Sequence, residues 1–158
     1  MVAVDDAIRD ITQEVLASFG CSTVPSSEHE IRDGLTSSVE IEGASRATIA
    51  VRVSSSLVCT LALGLLRDER EAPTNEDAED LVGEIAHMIG GNLKSVLPGP
   101  NRVSIPVAGN GPAGTKQLTT GAPGPLPGAP LTAAPARRTF VFDCEPGRFA
   151  VTVTFHDR

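Results

Sequence analysis

Between Glu76 and Pro98 the chain reads EDAEDLVGEIAHMIGGNLKSVLP, and this stretch restricts the fold more than any other. Leu81, Val82, Ile85, Ile89, Leu93 and Val96 recur at helical spacing and, at about 100° per residue, fall in one broad apolar sector. A helix with such a face must lie against a core. Thr74 with Asp77 three residues on matches a capping box. Acids crowd the first turn, Lys94 lies near the last, and Pro98 ends the helix. Asn92 also falls in the apolar sector, so it is expected to be buried and bonded to a neighbouring backbone, since an unpaired buried amide is costly. On the opposite side Asp80, Glu84, His87 and Gly91 line up as one outward stripe, with Gly83 and Gly90 beside it. Each interior glycine costs roughly 1 kcal/mol against alanine. Close packing is the expected reason for Gly83, and access for a partner's backbone the expected reason for Gly90 and Gly91.

The flanking segments supply the surface this helix lies on. A first helix runs through DDAIRDITQEVLASFG, with Val4, Ala7, Ile8, Ile11, Val15 and Phe19 on one face and Gly20 as a stop. LTSSVEIE and ATIAVRV alternate apolar with polar residues around GASR and predict a β-hairpin. Serines 54 to 56 offer caps for a buried helix through LVCTLALGLLRDE. RVSIPVAG predicts a strand with Val103, Ile105 and Val107 on one face, confined to an edge or its own end by Pro106. TFVFDC, EPGR and FAVTVTF predict a closing hairpin, with Pro146 and Gly147 at the centre of a type II turn. The order of elements gives an α+β domain: an antiparallel sheet built from hairpins, packed helices, and one long central helix.

Residues 1–158 are read as a single domain, interrupted at about 109–136 by a Gly/Pro-rich, low-complexity loop without periodicity, expected to be disordered. With five Phe and no Trp or Tyr, the core has to be aliphatic. A net charge of −7 argues against nucleic acid or an anionic membrane as the partner. The acidic N-terminus has no signal-like apolar core, and LVCTLALGLL is too short to cross a bilayer, so a cytoplasmic location is expected. Cys21, Cys59 and Cys144 have no CxxC spacing and are expected to be buried, isolated and reduced. His29 and His156 have no ligand spacing to another residue, so no metal site is expected.

The stripe and its surroundings resemble the CheC/CheX/FliY family of chemotaxis phosphatases, and most closely its single-motif CheX type. Asp80, Glu84 and Pro106 match the family's signature of an acid or serine, a glutamate, an asparagine and a downstream proline. GGNLKS at 90–95 matches its helix continuation. The resemblance runs from about Leu35 through Pro106 and resumes in the last two strands. The first helix carries Glu14 but Ala17 where a second motif would place asparagine. It implies a homodimer that hydrolyses the aspartyl phosphate of a phosphorylated CheY-like receiver domain. Glu84 would pair with a receiver lysine, Asp80 would assist docking or orient its neighbours, and Gly91 would permit close approach. No cofactor is implied in this chain; Mg²⁺ is expected on the receiver.

One position departs from the family: its asparagine is His87 here. A neutral imidazole has one donor and one acceptor nitrogen, so it could hold the attacking water as a carboxamide does, whereas an imidazolium has lost the acceptor. Three readings stay open: His87 catalyses, catalyses poorly, or leaves a receiver-binding adaptor without catalysis. A dimerisation domain using its sheet edges is a further alternative.

Overall fold

The computed structural model describes residues 2–27, 31–65, 74–110 and 136–156. The predicted loop at 109–136 falls almost wholly outside these residues, as do His29 and the second helix beyond Leu65. Three helices, α1 (Val2–Ser18), α2 (Ser55–Leu65) and α3 (Asn75–Val96), accompany strands β1 (Val24–Pro25), β2 (Gly34–Gly43), β3 (Ala47–Ser54), β4 (Asn101–Val103), β5 (Val107–Asn110), β6 (Ala136–Cys144) and β7 (Gly147–Phe155). The strands form one antiparallel sheet in the order β1-β6-β7-β3-β2-β4, and β5 also pairs with β2. The α+β architecture is the one the sequence predicts.

Alternation along the strands builds the core. Val39 and Ile41 of β2, Ile49, Val51 and Val53 of β3, and Phe149, Val151 and Val153 of β7 are almost wholly buried. They share one cluster with Ile8, Val15 and Leu16 of α1, Leu57, Val58 and Leu61 of α2, and the inner face of α3. The Arg138–Asp5 ion pair (3.1 Å) and the Arg9 guanidinium, 4.8 Å from the Phe140 ring centre, tie α1 to β6.

Several local expectations are corrected. RVSIPVAG is two strands. Ile41 pairs with Val103 and Ser38 with Val107, so Val39 and Glu40 stand opposite three residues, Ser104, Ile105 and Pro106. That extra residue is a β-bulge, placed where Pro106 lacks the N–H a ladder needs. Ile105 therefore leaves the shared face and is 81% exposed. The closing turn is centred on Glu145 and Pro146, because Cys144 already pairs with Gly147, and the Glu145–Pro146 peptide is cis. A type II turn would need Gly147 at positive φ, which it does not adopt. The helix α2 is only half buried: Leu57, Val58, Leu61 and Ala62 face inward, while Cys59 and Leu63 are exposed. The short strand β1 was not predicted; it borrows its pairing from β6.

The thiols divide accordingly. Cys59 lies on the outer side of α2, and Cys21 and Cys144 are buried neighbours rather than isolated residues. Burial, followed by the adjoining Cys144 thiol, pushes Cys21 up to about 12. A thiol reagent added to the native protein should label Cys59 alone, with Cys21 and Cys144 reacting only after denaturation; prompt labelling of all three would contradict this packing.

The helix α3 opens as its sequence predicts. The Asp77 amide donates to Thr74 Oγ1 at 3.1 Å, and the Thr74 amide donates to Asp77 Oδ2 at 2.9 Å. The bond from the Thr74 amide, followed by the Thr74 side chain, holds the Asp77 carboxyl below its ordinary range. A carboxyl depressed by folding contributes stability that is full above the ordinary carboxylate range and is lost as acid protonates it. Thr74→Ala should lower unfolding stability by about 1 kcal/mol near neutrality. The deficit should narrow in acid, because the native protein then also loses the bond between the Thr74 side chain and the Asp77 carboxylate, which the alanine variant never had.

Candidate functional site

The stripe on α3 is outward because the helix is fastened along its other side. Leu81, Val82, Ile85, Ala86, Ile89 and Leu93 are buried on the sheet and the neighbouring helices, and Gly83 and Gly90 complete the buried arc. Val96 and Asn92, both expected inside, are exposed. The capping residue Leu97 packs partly buried against the core where Val96 was expected, and Asn92 sits exposed at the rim of the sector.

Gly90 reverses its expected role. A Cβ built there would lie 2.7 Å from Val39 Cγ2 and 3.3 Å from Val103 Cγ1, so this glycine lets α3 settle onto β2 and β4. Gly83 does the same further along, where a Cβ would stand 3.2 Å from Pro106 Cβ. Gly91 differs, because a Cβ there would meet nothing within 4 Å. Among the described residues, no packing contact requires glycine at this position.

Asp80, Glu84 and His87 are all exposed, and no described residue offers any of them a hydrogen bond or ion pair. Asp80 and Glu84 are one turn apart, and Glu84 and His87 are three residues apart, so the side chains rise from the same face with Cβ atoms about 5–6 Å from their neighbours. On the helix wheel His87 lies about 40° from Gly83 and Glu84 about 100° from it in the same sense, so His87 is the nearer of the two to the Pro106 side. The structure therefore presents two carboxylates and an imidazole, ungripped, beside a proline seated on the helix. Such a set can bond a cation and orient a water.

The bulge at Ser104–Pro106 is the part of this surface that sequence reasoning missed. Its only signal is a proline inside an alternating run, which confines that run to an edge, as found, or to its own end. The second-motif position on α1, Glu14 with Ala17, is exposed and carries no comparable pair.

Comparison with known proteins places these features. The family described as chemotaxis phosphatase CheX matches residues 35–124, more than half of the chain. Chemotaxis protein CheX from Vibrio vulnificus is similar in structure, with 18% identity, a TM-score of 0.71, and coverage of 97% of this chain and 96% of that one. CheX from Desulfovibrio desulfuricans gives 17%, 0.70, and 98% and 99%. The Borrelia burgdorferi CheX of a CheX–CheY–BeF₃–Mg²⁺ complex gives 14%, 0.67, and 96% and 97%. None of the curated proteins matches the chain.

Two substitutions separate packing from access. Gly90→Ala should destabilise the fold by about 1–3 kcal/mol by pushing Val39 out of place. Gly91→Ala should raise stability by up to about 1 kcal/mol. Chemical denaturation of both variants checks this, and equal effects would undo the distinction.

Proposed function

Since the chain belongs to the chemotaxis phosphatase family CheX, we propose that it removes the phosphoryl group from the aspartyl phosphate of a CheY-like receiver domain in the cytoplasm. The observation that carries this reading is the exposed Glu84–His87 pair on one face of a well-anchored helix. The Borrelia relative, whose structure includes CheY, supports the choice of partner.

The division of labour follows from what each side brings. The receiver supplies the acyl phosphate and its Mg²⁺, so this chain has to dock and to position a nucleophile. The Glu84 carboxylate pairs with a receiver lysine, and Asp80 adds attraction one turn away. Gly91 lets the partner's backbone close on the helix. The neutral His87 ring accepts a hydrogen bond from water at one nitrogen and donates to a phosphate oxygen at the other. Water oxygen attacks phosphorus in line, the bond from phosphorus to the aspartyl oxygen breaks, and the water's proton leaves with the released phosphate. Loss of translational freedom in the water is the main contribution. A homodimer, which the resemblance implies, belongs to the same proposal and is read by sedimentation.

The second reading, a receiver-binding adaptor, is favoured by His87 itself, since an imidazole is bulkier than the family's carboxamide. Phosphate release from receivers charged with acetyl phosphate tests both. The enzyme reading expects acceleration by the native chain, loss of it at saturating receiver in His87→Ala, and an about tenfold or larger rise in KM in Glu84→Gln, the size of one charge-assisted bond. Decay at the receiver's own rate in the presence of the native chain rejects the enzyme. If His87→Asn then gains hydrolysis, the adaptor reading stands.

A further inference from the structure

Ile105 is the most exposed large apolar side chain among the described residues, at 81%, and Val107 beside it is 52% exposed. The backbone around them is held from both sides. The Ser104 amide donates to the Glu40 carbonyl and the Glu40 amide donates to Ser104 Oγ, each at 2.9 Å. The Ser104 hydroxyl in turn donates to the Ile105 carbonyl at 3.1 Å. Immediately after Ile105, Pro106 rests on α3 at Gly83. Ile105 thus stands on a braced bulge, one residue before the contact with Gly83, which lies one turn from His87 on α3.

Leaving an isoleucine in water contributes nothing to folding. Scattered exposed apolar residues are ordinary. This one differs in sitting on a braced bulge whose next residue touches the helix of the stripe. Protein interfaces commonly join apolar anchors to flanking charged groups. We propose that the Ser104–Pro106 bulge presents Ile105 as an apolar anchor for the same receiver domain that the stripe engages, making it a specificity determinant for receivers with an apolar patch beside their active-site lysine. The inference rests on the function proposed above. The occupant is a receiver, because Ile105 is continuous with Pro106 and the acidic stripe, which selects a cationic partner.

The test is the Kd for a beryllofluoride-loaded CheY-type receiver, a readout that holds whether or not His87 supports hydrolysis. Ile105→Ala should weaken binding by about tenfold and Ile105→Asp by more, both with an unchanged melting temperature, since the side chain is outside the core. Where hydrolysis is measurable, KM should rise while kcat holds. Native binding with no change in either variant overturns the anchor and leaves the proposed function standing. A change in sedimentation at constant Kd assigns Ile105 to a contact between copies and also overturns it. Failure of the native chain to bind any receiver removes the proposed function, and the anchor with it.

Discussion

The close seat of α3 on β2 depends on a position without a side chain. At Gly90 a Cβ would lie 2.7 Å from Val39 Cγ2, and at Gly83 a Cβ would crowd the Pro106 ring of the bulge at 3.2 Å. This close seat fixes the rotation of the helix about its own axis. With Leu81, Ile85, Ile89 and Leu93 committed to the core, Asp80, Glu84 and His87 have no direction left but outward. The rotation also sets what borders the stripe, because Pro106 bears on Gly83 from an edge strand that is itself bulged. Site geometry and core packing are one constraint seen from two sides.

The chemistry assigned to this surface is modest by design. A phosphatase for an acyl phosphate held by another protein has to provide position rather than a covalent nucleophile or a metal cage. Exposed acids and an imidazole without partners among the described residues suit that task. The fold supplies rigidity through the sheet and the capped start of α3, and in the proposed reaction the reactive bond belongs to the partner.

Local pattern carried most of the architecture. The amphipathic period of α3, its Thr74–Asp77 cap and the alternation of β2, β3, β6 and β7 were readable because each is decided by neighbours close in sequence. The misreadings arose where a distant element decides. Gly90 looked like a docking feature until β2 and β4 were seen to fill its space. Val103, Ile105 and Val107 kept strand alternation in sequence, yet a one-residue bulge opposite Val39 and Glu40 broke their shared face. The strand β1 has no pattern of its own, since β6 imposes it, and Cys21 meets Cys144 across a separation that spacing rules do not cover. Asp80, Glu84, His87 and Gly91 were legible as a unit because they lie on one element.

The most direct measurement follows the amide signals of this chain, and the His87 ring, by NMR during titration with a beryllofluoride-loaded CheY-type receiver. The account predicts the largest shifts from Asp80 through Gly91, with the His87 ring among the groups most affected. Saturable binding that leaves those signals unmoved, or no binding at all, would contradict it.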